Sequence, residues 1–235
     1  MKLILDGIQK NFEKNEVLKG ASFTFETGKI YGLLGRNGAG KTTLFNCINE
    51  DIEIDGGSFL VEENGVKRKA MADDIGYVLS TPVVPEFLTG REFLKFFIDI
   101  NKDKITASKT IDEYFDIMRI ATDDRDRLIK DYSHGMKNKM QMLVNFIANP
   151  GILLLDEPLT SFDVVVADEM KQLLKEIKSE HIIIFSTHIM ELALDLCDEI
   201  VILNNGILDE ITKESLTNDG FKDKIILALR GENDD

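Results

Sequence analysis

The apolar positions of this chain change their rhythm twice, and each change marks a different kind of structure. Residues 3–8, 22–26 and 30–34 alternate or form short unbroken apolar runs, a strand-rich start that 58–62 and 75–79 continue. After Pro82 and Pro85 the spacing turns helical. Phe93, Phe96, Phe97 and Ile100 share one face, and Ile111, Tyr114, Phe115 and Met118 share another. Met140, Leu143, Val144 and Ile147 form a third, which Asn149-Pro150 ends. The phenylalanines here read as core, because exposed aromatic patches are uncommon. From Gly151 onward strand and helix alternate. Residues 152–155 and 182–185 suit strands covered on both faces, with a helix stripe of Val166, Met170, Leu173, Leu174 and Ile177 between them. Residues 199–203 then meet 207–209 across the turn Asn204-Asn205-Gly206.

This alternation predicts an α/β fold with a mainly parallel sheet and its ligand at the carboxyl ends of the strands. Residues 82–149 form a helical insertion between the strand-forming segments 1–81 and 150–215, and 216–235 is a C-terminal segment with a frayed acidic tail. With 235 residues the chain can bury a sizeable core. Its net charge of −14 argues against broad binding to nucleic acid or an anionic membrane. The one basic cluster, Lys67-Arg68-Lys69, follows Asn64-Gly65 and reads as a solvated loop. Cys47 and Cys197 lack metal or framework spacing and read as packed thiols in a reducing compartment. Met1-Lys2-Leu3-Ile4-Leu5-Asp6 runs straight into a strand pattern, without the features of a secretory signal. No apolar run approaches the roughly 20 residues that span a bilayer, so at a membrane another chain must supply the spanning part.

Chemistry concentrates at Gly35-Arg36-Asn37-Gly38-Ala39-Gly40-Lys41-Thr42-Thr43, which has the G-x-x-x-x-G-K-[ST] spacing. Glycines let successive backbone N–H groups, among them those of Asn37, Gly38, Gly40 and Thr43, turn toward one anion. Lys41 adds a point charge for the terminal phosphates, and the Thr42 hydroxyl is a hard oxygen for Mg²⁺. A buried strand precedes the loop and a helix start follows it, adding that helix's positive end. Hydrolysis needs more: a carboxylate toward magnesium and a group to activate water. Asp156-Glu157 at the end of the 152–155 strand supplies both, Asp156 through the metal's hydration shell and Glu157 as general base.

The order of these motifs resembles that of the ATP-binding cassette, the nucleotide-binding component of ABC transporters, over nearly the whole chain. Tyr132-Ser133-His134-Gly135-Met136 is similar to the family's L-S-G-G-Q signature. Thr160-Ser161-Phe162-Asp163 resembles the loop after the catalytic glutamate, and Ser186-Thr187-His188 the segment that carries the switch histidine. The resemblance implies a P-loop NTPase core with an antiparallel β subdomain and an inserted α-helical subdomain. It implies ATP and Mg²⁺ as ligands, Phe12 stacking on adenine, Val17 touching the base and His188 positioning the γ-phosphate. It also implies that Ser133 and Gly135 face the nucleotide of a second copy in a homodimer, docked on a membrane permease at the cytoplasmic face of the cell membrane. Two positions depart from the family pattern. Ser80 stands where a magnesium-contacting glutamine is usual, so any metal contact there runs through water, and His134 replaces a glycine. A signature beginning with Tyr, with Met-Lys after its second glycine, resembles exporters with a separate permease. Two other readings remain open at this point: a soluble ABC-type ATPase of DNA repair, chromosome maintenance or translation, and a weakly hydrolysing nucleotide-binding regulator. His134 and His181 read as a loop residue and a strand-edge residue.

Overall fold

The computed structural model describes residues 1–13, 15–105, 109–160 and 162–211. In chain order its strands are β1 (Lys2–Phe12), β2 (Asn15–Glu26), β3 (Ile30–Leu34), β4 (Gly56–Glu63), β5 (Val66–Lys69), β6 (Ile75–Val78), β7 (Ile152–Asp156), β8 (Ile182–Thr187), β9 (Glu199–Asn204) and β10 (Ile207–Ile211). The α-helices are α1 (Lys41–Ile48), α2 (Gly90–Ile100), α3 (Ile111–Ile117), α4 (Thr122–Arg125), α5 (His134–Ala148), α6 (Val164–Ile177) and α7 (Met190–Leu196). The segment 216–235, with its acidic tail, lies outside the described residues. Among the described residues no helix is long and apolar enough to cross a membrane.

Two sheets divide the strands. One is antiparallel in the order β2-β1-β4-β5, and the other runs β10-β9-β3-β8-β7-β6 with β10 alone antiparallel to its neighbour. The larger sheet is mainly parallel, as the apolar runs predict. Every residue of β3, β7 and β8 is buried, the requirement for strands covered on both faces. One face packs Tyr31, Leu33 and Leu154 with Phe45 of α1 and with Leu3, Phe25 and Val61 of the antiparallel sheet. The other face packs Ile30, Leu34 and Leu155 in a core that continues into the insertion through Leu94, Phe115, Met140 and Leu143. The sheet is therefore a middle layer whose strand ends lie between two bodies. The β9–β10 hairpin turns at Asn205 (φ 48°) and Gly206 (φ 80°), the positive pair that a two-residue turn of this hand needs.

Within the insertion, Thr89 and Thr110 cap α2 and α3 in reciprocal boxes with Glu92 and Glu113. Arg125 is buried among Asp112, Asp116 and the Ile120 carbonyl, so its charge is paired and its donors are used. Gly90 admits the Tyr132 hydroxyl, which a Cβ there would meet at 2.3 Å.

Three expectations need correction. Residues 67–69 are not a loop. Asn64 (φ 52°) and Gly65 (φ 79°) turn the chain back so that β5 pairs with β4, and Arg68 bonds Asp74 through both terminal nitrogens at 2.5 and 2.7 Å. The charges remain useful on an edge strand, where they discourage pairing with another chain. Nor are all the phenylalanines core. Phe96 and Ile100 are 55% and 61% exposed, because α2 buries Leu94 and tucks only the flanks of its apolar stripe. His134 is the first residue of α5 rather than a loop residue, and it is exposed. His181 does sit at the edge of β8, buried, with Nδ1 2.7 Å from the Pro150 carbonyl. Both cysteines are free and buried, and burial raises the Cys47 thiol to about 11.

The sharpest steric constraint on the antiparallel sheet lies at Gly57, with φ of +82° and a Cβ position only 2.3 Å from the Gly7 carbonyl oxygen. Gly57→Ala is expected to cost at least about 1–3 kcal/mol for the backbone conformation alone, plus the clash. Urea unfolding checks this, and a midpoint equal to wild type would contradict it.

Candidate functional site

The buried strand β3 delivers the chain into the turn 35–40, where Gly38 and Gly40 adopt φ of 81° and 103°. A side chain at Gly40 would lie 2.8 Å from Val17 Cγ1, so only glycine lets the loop close on β2. The Ala39 N–H donates to the Arg36 carbonyl at 3.0 Å, and α1 begins at Lys41. First-turn amides of such a helix have no partner within it and suit an anion. Asn37 and Gly38 are exposed and Thr43 is half-buried. Lys41 is buried and folds back over the loop, donating to the Gly35 carbonyl at 2.7 Å and the Arg36 carbonyl at 3.3 Å. Burial pushes its ammonium down from the usual lysine range, while Glu157 and Asp156 hold it up.

The register of the parallel sheet brings the acids to this loop. Asp156 pairs with Ser186 across β7 and β8, so both strands end at one level. Thr42 Oγ1 donates to Asp156 Oδ2 at 2.8 Å, and Ser186 Oγ donates to Asp156 Oδ1 at 2.5 Å. The Glu157 N–H in turn donates to Ser186 Oγ at 3.1 Å. Glu157 then leaves the strand with φ of 50°, a left-handed conformation that costs a non-glycine residue about 1–2 kcal/mol. Thr160 holds it there, its hydroxyl donating to the Glu157 carbonyl at 2.9 Å. This turn aims the carboxylate at His188, whose Nδ1 lies 2.9 Å from Glu157 Oε1. Glu157 Oε2 is buried and has no hydrogen-bond partner among the described residues. An orphaned buried carboxylate oxygen marks a place where a ligand's proton is expected.

Lys41, Thr42, Asp156, Glu157 and His188 thus form one cluster. Ser186 links it, a residue that the sequence places in the histidine segment without giving it a role. Its one signal is a hydroxyl closing the otherwise apolar run Ile182–Phe185. The described hydrogen bonds and ion pairs join none of Phe12, Ser80, Ser133 or Gly135 to that cluster. Phe12 ends β1, 46% exposed, with the Lys10 ammonium 5.5 Å from its ring centre. Val17 lines a polar groove of about 410 Å³ beside the loop, together with Asn37, Gly38, Asn204 and Asn205. Ser80 is exposed just beyond β6. Ser133 caps α5, accepting from the Met136 N–H at 3.2 Å, with half-buried Gly135 in the same first turn. Asp163 caps α6 in the same manner through the Val165 and Val166 N–H groups, both at 3.0 Å.

Residues 18–160 match the family model described as ABC transporter. An uncharacterized ABC transporter ATP-binding protein of Methanocaldococcus jannaschii is 35% identical over 207 residues, 87% of this chain and 75% of its own. Among solved structures, an ATP-binding subunit of an ABC transporter superposes with TM-score 0.80 at 23% identity, covering 98% of this chain and 100% of that one. An ATP-binding cassette solved as a dimer in a post-hydrolysis state with ADP and Pi gives 0.75 at 19% identity, covering 89% and 98%. At such identities these two likenesses bear on the fold, which is that of ABC ATPase domains. The chain belongs to the ABC transporter family, as an ATP-binding subunit carrying that family's ATPase domain.

Proposed function

We propose that this chain is the energy-coupling ATPase of a transporter, acting as a homodimer on a separate permease chain at the cytoplasmic face of the membrane. The observation that carries it is the bonded series Thr42–Asp156–Ser186–Glu157–His188 beside Lys41. A phosphate loop alone only binds, whereas this series adds a general base whose second oxygen is buried and without a hydrogen-bond partner among the described residues. Loop amides and Lys41 bind the triphosphate. Glu157 takes the proton of the attacking water, and His188 holds that carboxylate through Nδ1 and positions the γ-phosphate. Phe12 and Val17 take the adenine.

Thr42 and Asp156 fit Mg²⁺. A hydroxyl and a carboxylate 2.8 Å apart are hard oxygens, and nucleotide phosphates with water complete such a shell. When bound, the ion neutralises charge building on the phosphoryl group. Ser80 reaches it only through water. Chelation should therefore abolish turnover, measured as phosphate release from ATP with and without EDTA.

We read 1–81 and 150–215 as the nucleotide core and 82–149 as the insertion that meets the permease. Exposed Val83, Phe87, Phe96 and Ile100 support that contact. The Tyr132 and Met136-Lys137 pattern of the signature supports an exporter. In the dimer, Ser133 and Gly135 reach the triphosphate held by the second copy. Closure driven by ATP and opening after hydrolysis move the permease. Ser133→Glu is expected to leave ATP binding by one copy unchanged and to cut hydrolysis about 10²–10³-fold by putting a carboxylate where a phosphate donor is needed. Equilibrium dialysis and phosphate release measure the two, and near-normal turnover would sink the sandwich.

A further inference from the structure

Gln141 lies in the middle of α5 between Met140 and Met142, and it is only 5% exposed. Its amide makes two bonds to one loop. Nε2 donates to the Leu79 carbonyl at 3.0 Å, and Oε1 accepts from the Val83 N–H at 3.0 Å. A single side chain thereby brackets residues 79–83, the stretch that leaves β6 and enters the insertion. One turn on, Asn145 donates to the Gln141 carbonyl at 2.9 Å. A Cβ at Gly76 would stand 2.5 Å from Asn145 Oδ1, so α5 is pressed onto β6 at this point. The pairing of Val78 with Leu155 sets the loop beside the chain end that carries Asp156 and Glu157. The other end of α5 carries Ser133 and Gly135.

We propose that Gln141 is a positioning residue that locks the 79–83 loop to α5, so that the loop beside the catalytic acids and the signature end of the helix move as one piece. Ser80 is too short to bridge the two bodies itself, and the glutamine that does so comes from the opposite side, on α5. The inference rests on the ATPase reading above. Both bonds of its side-chain amide go to backbone atoms of the loop, so the tether holds whatever side chains the loop carries. The phosphate loop lies on β3 and α1, which Gln141 does not bond, so ATP affinity should be insensitive to it.

Two variants of the full chain test this: Gln141→Met, which fills a similar volume without either bond, and Gln141→Asn, which keeps the amide but is too short for both. Each is expected to lower kcat about 10–10²-fold, as a small misplacement does, with KM for ATP within about twofold of wild type. Hydrogen exchange at the Val83 amide should quicken in both while exchange in β7 and β8 stays unchanged. If Gln141→Met fails to fold, Gln141→Asn carries the same expectation. A folded variant with kcat within about twofold of wild type would overturn the tether, as would an equal rise in KM and fall in kcat. A wild-type chain without turnover would instead overturn the ATPase reading itself.

Discussion

Glu157→Gln is expected to lower ATP turnover about 10²–10⁴-fold while ATP still binds, the loss that follows removal of a general base. Glutamine keeps the size of the side chain, and its carbonyl oxygen still accepts from His188 Nδ1, so the 2.9 Å contact survives. The bonds that hold the residue in its left-handed turn are made by its backbone N–H and carbonyl, which the substitution leaves in place. Basicity is lost, at the oxygen that is buried and lacks a hydrogen-bond partner among the described residues. The variant should therefore accumulate in the ATP-bound dimer, because the step that removes the γ-phosphate contacts is blocked. Single-turnover phosphate release measures the rate, and sedimentation with ATP measures the dimer. Turnover within about tenfold of wild type would remove Glu157 from the role and leave His188 without a carboxylate to position.

The parts of this site that could be read from the chain are those whose chemistry is contiguous. Gly35 to Thr43 declares itself because loop, lysine and hydroxyl are neighbours in sequence. Asp156-Glu157 follows from the apolar run that ends in acid, and the parallel sheet from runs too apolar for a strand with one wet face. The roles of Ser186 and Gln141 are not legible in sequence for one physical reason. Each acts through bonds to residues at a distance along the chain, Asp156 for the first and Leu79 and Val83 for the second. Those contacts exist only once strand register and helix packing are set. Phe96 misled for a related reason. Periodicity reports which residues share a face, and the neighbour that covers the face decides how much of it is buried. The basic cluster at 67–69 reads as a loop in sequence because Asn64-Gly65 resembles the end of structure, whereas its positive-φ pair returns the chain to β4.

Lys41→Met should weaken ATP binding by about 2–5 kcal/mol, roughly 30-fold to several thousand-fold, the cost of losing one member of a buried hydrogen-bonded charge pair. Methionine keeps an unbranched stem and removes the charge together with the donors to the Gly35 and Arg36 carbonyls. The same substitution should also change how the stability of the fold responds to pH. In the free chain the Lys41 ammonium is buried against carbonyls, and burial pushes its pKa below the usual 10.5. The unfolded chain therefore binds more protons at this group between the lowered value and 10.5, and stability conferred by the site rises with pH through that window. Tyr31 and Cys47, raised by burial to about 12 and about 11, lower stability as pH rises through the alkaline range, so the wild-type curve alone mixes opposing trends. Subtracting the Lys41→Met curve from the wild-type curve isolates the lysine. The difference should move in favour of the wild type as pH rises toward 10.5. Urea midpoints from pH 7 to 10.5 read the difference, and isothermal titration with ATP reads the affinity. A variant that binds ATP as wild type does would remove Lys41 from phosphate recognition. A constant stability difference over the window would show instead that burial of this ammonium costs the fold nothing.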